Sequence, residues 1–190
     1  LMSGKGLLND YVGMYGKLKN FVLAHHGGLG GGGHTPIGES WLAISTAPDN
    51  GLEPLNCKAI SNYKKGRSSS MVNNYLNGLK MVASKMSEGG TMIFASCFSG
   101  YFEEGAPNLS QKISEILLRQ NNTLNLYFSK GLIWYGNNGA SRQIGFDRGL
   151  EYGISMGWTL FNKTNSITPY KYLGSIHLNK TGEALTFISN

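Results

Sequence analysis

Two short apolar runs organise this chain. One is Phe21-Val22-Leu23-Ala24, which ends in His25-His26-Gly27-Gly28; the other is Thr91-Met92-Ile93-Phe94-Ala95, which ends in Ser96-Cys97-Phe98-Ser99-Gly100. Unbroken apolar runs of this length read as buried strands that hand one residue each to a loop. Ahead of the first, Leu7, Leu8, Tyr11, Val12, Tyr15 and Leu18 recur at helical spacing and predict an amphipathic helix. After it, the glycine-rich segment 27–33 is expected to be a mobile loop, and residues 41–45 a further strand. Residues 47–66 read as irregular and polar, turning at Pro48-Asp49-Asn50-Gly51.

Ser68 to Ser70 supply a cap for a strong helix whose apolar face is Val72, Tyr75, Leu76, Leu79, Val82, Ala83 and Met86, with Gly89-Gly90 expected to end it. A second helix is predicted over 110–120 with Ile113, Ile116 and Leu117 inward, followed by a strand over 124–128. Strands alternating with helices define an α/β fold with a mainly parallel sheet flanked by helices. Ligands in such sheets bind beyond the carboxyl ends of the strands, where His26 and Cys97 both fall. The last third is richer in Gly, Asn and aromatic residues, and residues 176–187 look like a hairpin turning near Lys180-Thr181-Gly182, so a β-rich C-terminal part is expected. At 190 residues, one domain over 1–190 is expected; opening on Leu1, it reads as a fragment or processed piece of a longer chain.

Composition narrows the function. Charged residues make up only 15%, against about a quarter in ordinary globular chains, so solubility rests on Asn, Ser, Thr and Gly. The low charge and the Asn and Gly content lean towards a secreted or periplasmic protein. The net charge of +6 is scattered apart from Lys64-Lys65-Gly66-Arg67, which reads as a solvated loop rather than a nucleic-acid footprint. No run approaches the roughly 18 apolar residues of a membrane span. The two cysteines, Cys57 and Cys97, stand in different contexts, one polar and one closing a strand, and no disulfide is expected. His25, His26 and His34 lack supporting ligands at metal-binding spacing, and no Gly-Lys-Ser/Thr follows the glycine run, so neither a metal nor a phosphate cofactor is expected.

A histidine ending one strand and a cysteine ending another are the two parts a cysteine hydrolase needs, since imidazole can take the thiol proton or protonate a leaving group. A strand ending in His26-Gly27, then a later strand ending in Ala95-Ser96-Cys97-Phe98-Ser99-Gly100, resembles the caspase-like (clan CD) cysteine peptidases. The likeness runs over about residues 21–128. It implies a caspase-like fold, a protein or peptide substrate, and a dyad in which Cys97 attacks the scissile carbonyl and His26 acts as general acid and base. Backbone N–H groups of Gly27 and Cys97 would then form the oxyanion hole. A helix soon after Cys97 would favour its thiolate. His25 is the alternative to His26, although alternation along a strand turns only one of the two towards Cys97. Glu103 and Glu104 follow the cysteine loop closely enough to meet a basic substrate side chain. Two other readings use the same residues: an inactive caspase-like binding module within a larger secreted or toxin-like protein, and acyl transfer on a non-peptide substrate.

Overall fold

Ser69 adopts extended backbone and accepts the Val72 N–H on its hydroxyl, which starts a sixteen-residue helix and directs Val72, Leu76, Leu79, Val82 and Ala83 inwards. That helix is the longest among the described residues of the computed structural model. The structure describes residues 5–30, 38–44, 54–102, 107–131, 133–138, 141–146, 158–163, 175–178 and 185–188. In chain order the elements are α1 (Lys5–Tyr15), β1 (Leu18–Ala24), β2 (Gly27–Leu29), β3 (Ser40–Ala43), β4 (Pro54–Leu55), α2 (Cys57–Lys64), α3 (Ser70–Lys85) and β5 (Met86–Ala95). Then follow α4 (Leu109–Leu118), β6 (Asn125–Ser129), β7 (Ile133–Asn138), β8 (Ser141–Phe146), β9 (Trp158–Phe161), β10 (Ser175–Leu178) and β11 (Leu185–Ile188).

The central sheet runs β1-β5-β6-β9, with β1, β5 and β6 parallel and β9 antiparallel at the edge. The chain advances β1 to β5 to β6 in one direction, and right-handed crossovers then put α3 and α4 on one face; both pack on α2 as well as on each other. Alternation does the rest: Phe21 and Leu23, Met92 and Phe94, Leu126 and Phe128, and Phe161 all join the helix-side core. Phe94 and Phe128, paired across β5 and β6, stack at 4.3 Å, and Phe161 meets Phe128 edge-on at 5.7 Å. Such ring pairs each add about 1 kcal/mol beyond their burial. A small antiparallel sheet, β2-β3-β4, lies beyond the end of β1, and β11-β10-β8-β7 form a separate antiparallel sheet. Within it, β10 pairs β11 from Ser175 opposite Ile188 to Leu178 opposite Leu185; the expected turn near 180–182 lies outside the described residues.

Four expectations change. The glycine segment is not loop throughout: Gly27, Gly28 and Leu29 form β2, because they pair with Leu42, Trp41 and Ser40 of β3. The polar stretch before residue 66 contains α2, capped by Asn56, whose side chain accepts the Ala59 N–H at 2.8 Å; it fully buries only Cys57 and Ile60, too short a signal to stand out. Gly89-Gly90 do not end α3. The helix stops at Lys85, since Met86 turns extended to pair with Leu18, and both glycines lie inside β5. Finally, α1 forms as predicted from spacing but leaves Leu7, Tyr11 and Tyr15 exposed, together with Met14.

Candidate active site

The loop after β5 is fastened to its neighbours at almost every residue. Phe98 N–H donates to the Gly131 carbonyl at 3.0 Å, Gly100 N–H to the Ser129 carbonyl at 2.7 Å, and Thr159 Oγ1 to the Gly100 carbonyl at 3.1 Å. The buried Ser99 hydroxyl donates to the Phe94 carbonyl at 2.9 Å and accepts the Ser129 N–H at 3.0 Å. A side chain at position 100 would put its Cβ 2.8 Å from the backbone oxygen and Cβ of Phe128. The Ser-Gly after the cysteine is therefore the device that folds this loop over the end of β6. Phe98 takes a left-handed φ of 57°, a conformation uncommon for a bulky residue, and the surrounding bonds hold it there.

Cys97 is half-buried at the first turn of that loop, and its Sγ accepts the N–H of Ile133, where β7 begins, at 3.5 Å. Among the described residues no carbonyl accepts the Cys97 N–H. The expected helix behind the thiol is absent from this position: residues 97–100 are turns, and α4 starts only at Leu109. The reason is local: Ser99 and Tyr101 N–H close tight turns onto the Ser96 and Phe98 carbonyls, while Phe98 and Gly100 N–H are drawn across to the Gly131 and Ser129 carbonyls, so no run of helical bonds forms over these residues.

The histidine side meets this loop directly. β1 and β5 pair in parallel up to Ala24 opposite Ala95, so the next two residues of each strand, His25-His26 and Ser96-Cys97, leave the sheet side by side. Gly27 closes the contact: a Cβ there would lie 2.5 Å from the Cys97 carbonyl oxygen and 3.1 Å from that of Trp41. Only glycine lets the two backbones approach this closely. Ala43 N–H donates to the His26 carbonyl and Gly30 N–H to that of Glu39. In an antiparallel ladder this alternation makes Gly27 and Leu42 a non-bonded pair, so the Gly27 N–H points away from β3.

The two histidines differ. His26 is exposed, whereas His25 is partly buried and bonded at both nitrogens. Its Nδ1 lies 3.0 Å from the His26 carbonyl and 3.0 Å from Ser96 Oγ, and its Nε2 lies 2.6 Å from the Tyr75 hydroxyl on α3. Burial holds the His25 imidazole below its ordinary value of 6.5, partly offset by the bond to the His26 carbonyl. Burial likewise pushes the Tyr75 phenol up.

Of the residues singled out in the sequence, His25, His26, Gly27 and Cys97 are brought together; Glu103, Glu104 and His34 lie outside the described residues. Sequence reasoning missed Tyr75, Ser96 and the Ile133 amide. Tyr75 looked like one more apolar position of the helix face, and a backbone donor such as Ile133 leaves no trace in side-chain identity. A cavity of about 630 Å³ lies at the opposite end of the sheet, lined by Lys17, Ser84, Glu88, Arg119 and Asn121 among others. There α3 and α4 end, and cations at that place complement the negative ends of the helices. No family model, curated protein or solved structure compared with this chain matches it.

Proposed function

We propose that the chain is a caspase-like cysteine endopeptidase that cleaves peptide bonds through Cys97 and His26. The observation that carries this reading is the close approach of Gly27 to the Cys97 carbonyl beyond a parallel strand pair, with a thiol and an exposed imidazole leaving neighbouring strands at the same end of the sheet. In this reading Cys97 Sγ attacks the scissile carbonyl, and the oxyanion accepts the N–H groups of Gly27 and Cys97, neither of which is engaged within the small hairpin or the cysteine loop. His26 takes the Cys97 thiol proton and gives it to the departing amine as the C–N bond breaks; it then takes a proton from the attacking water and returns it to the sulfur as the thioester is released as a carboxylic acid. The Ile133 N–H, donated to Sγ, supports negative charge on the sulfur. His26 rather than His25 fits the acid–base role because both ring nitrogens of His25 are committed to neighbours.

The test is cleavage of a peptide mixture carrying every residue type before the scissile bond, read by mass spectrometry. Cuts that disappear in Cys97→Ala, and slow by about 100-fold or more in His26→Ala, are the expected outcome. Cuts that persist in Cys97→Ala would overturn the reading, and none from the wild-type protein would favour a binding module built on the same fold.

A further inference from the structure

We infer that His25 is a neutral bridge, a positioning residue that ties helix α3 through Tyr75 to both strand ends at once and so fixes His26 against Cys97. This rests on the reading of those two residues as the reactive pair.

The tautomer follows from the partners. The His26 carbonyl can only accept, so His25 Nδ1 carries the proton and shares it between that oxygen and Ser96 Oγ, each at 3.0 Å. Nε2 is then the bare nitrogen and accepts the Tyr75 hydroxyl proton at 2.6 Å. The ring has nothing left to offer a substrate. Its partial burial and its edge-on contact with Tyr75, at 5.9 Å between centroids, hold it in place, and its depressed proton affinity agrees with a neutral state.

The consequence is mechanical. The His26 carbonyl receives the His25 Nδ1–H from one side and the Ala43 N–H, at 2.9 Å, from the other. The peptide carrying the exposed His26 ring is therefore fixed although its side chain is not. Through Ser96 the same imidazole holds the residue that precedes the nucleophile. Tyr75 sits on α3 and packs against the core beside the buried Val72, Leu76 and Leu79 of the same helix, so the bridge is anchored in the core rather than in a loop. Alignment of two catalytic groups to a fraction of an ångström is worth large factors in rate, and three short hydrogen bonds from one ring are suited to provide it.

The experiment measures the rate at which iodoacetamide alkylates Cys97, read by peptide mass mapping, which needs no substrate. It compares wild type, His26→Ala, Tyr75→Phe, His25→Asn, and the double variant Tyr75→Phe/His26→Ala, with thermal melting as a control on folding. Tyr75→Phe keeps the packed ring and removes only the hydroxyl; His25→Asn keeps a donor near Nδ1 and loses the Tyr75 link. Each is expected to slow alkylation about five-fold, the worth of one hydrogen bond, while the double variant is no slower than His26→Ala alone, because the bridge acts through His26. Full additivity in the double variant, or an unchanged rate in both single variants, would overturn the positioning role while leaving the dyad standing. A wild-type rate equal to that of His26→Ala would overturn the dyad and the bridge together.

Discussion

Cys57 and Cys97 are both free thiols, and they occupy opposite kinds of site. Cys57 opens α2, the place where a helix dipole favours a thiolate, while Cys97 begins a run of turns over residues 97–100. Yet Cys57 is the one held protonated. Burial comes first, and the Glu39 carboxylate, itself buried and accepting the Cys57 N–H at 2.7 Å, adds to it, so the thiol is pushed up to about 12. Cys97 instead meets an amide donor at Sγ, an exposed histidine one strand away, and a loop whose shape is set by Ser99 and Gly100. At Cys57, therefore, a helix terminus does not outweigh burial and a neighbouring carboxylate.

The largest way to break this contrast short of removing the thiol or the His26 ring is Gly27→Ala. The added methyl would sit 2.5 Å from the Cys97 carbonyl and 3.3 Å from Leu42 Cδ2, so two backbones must separate. Peptide cleavage is expected to fall about 100-fold, as displacement by an ångström commonly costs, with a loss of about 1–3 kcal/mol in urea unfolding. Wild-type activity in this variant would show that the close approach is incidental.

A smaller effect sharpens the Cys57 side. Its thiol is raised from 9.0 to about 12, so between those values the native protein holds a proton that the unfolded chain has released. Stability is therefore fully present below pH 9.0 and falls as pH rises through that window. Cys57→Ser is expected to flatten the fall, and Glu39→Gln to reduce it while costing about 1 kcal/mol from the weakened helix cap. Urea midpoints on either side of pH 9.0 check both; an equal slope in all three proteins would contradict the assignment of cause.

Much of the sheet was legible because its strands are continuous apolar runs and its main helices carry regular faces. Val72 to Ala83 and Ile113 to Leu117 announce themselves, and Ser69 caps where a serine was expected to. The short elements were not legible. β2 is made of two glycines and a leucine, a composition that reads as loop until Trp41 and Leu42 pair with it. α2 fully buries one apolar residue besides its cysteine, and its start is held by Asn56 together with Glu39, eighteen positions before the helix. At the site, His26, Gly27 and Cys97 stand out as residue types at strand ends. The links among them do not, because His25 to Tyr75 spans fifty positions and exists only once the helix is laid on the sheet.

The most direct test of the central claim is labelling of the native protein with a peptidyl electrophile that reacts only with an activated thiol, followed by mass mapping of both cysteines. A single adduct on Cys97, lost in His26→Ala and with Cys57 untouched, is the predicted result. An adduct on Cys57, or labelling of Cys97 that His26→Ala leaves unchanged, would contradict the account.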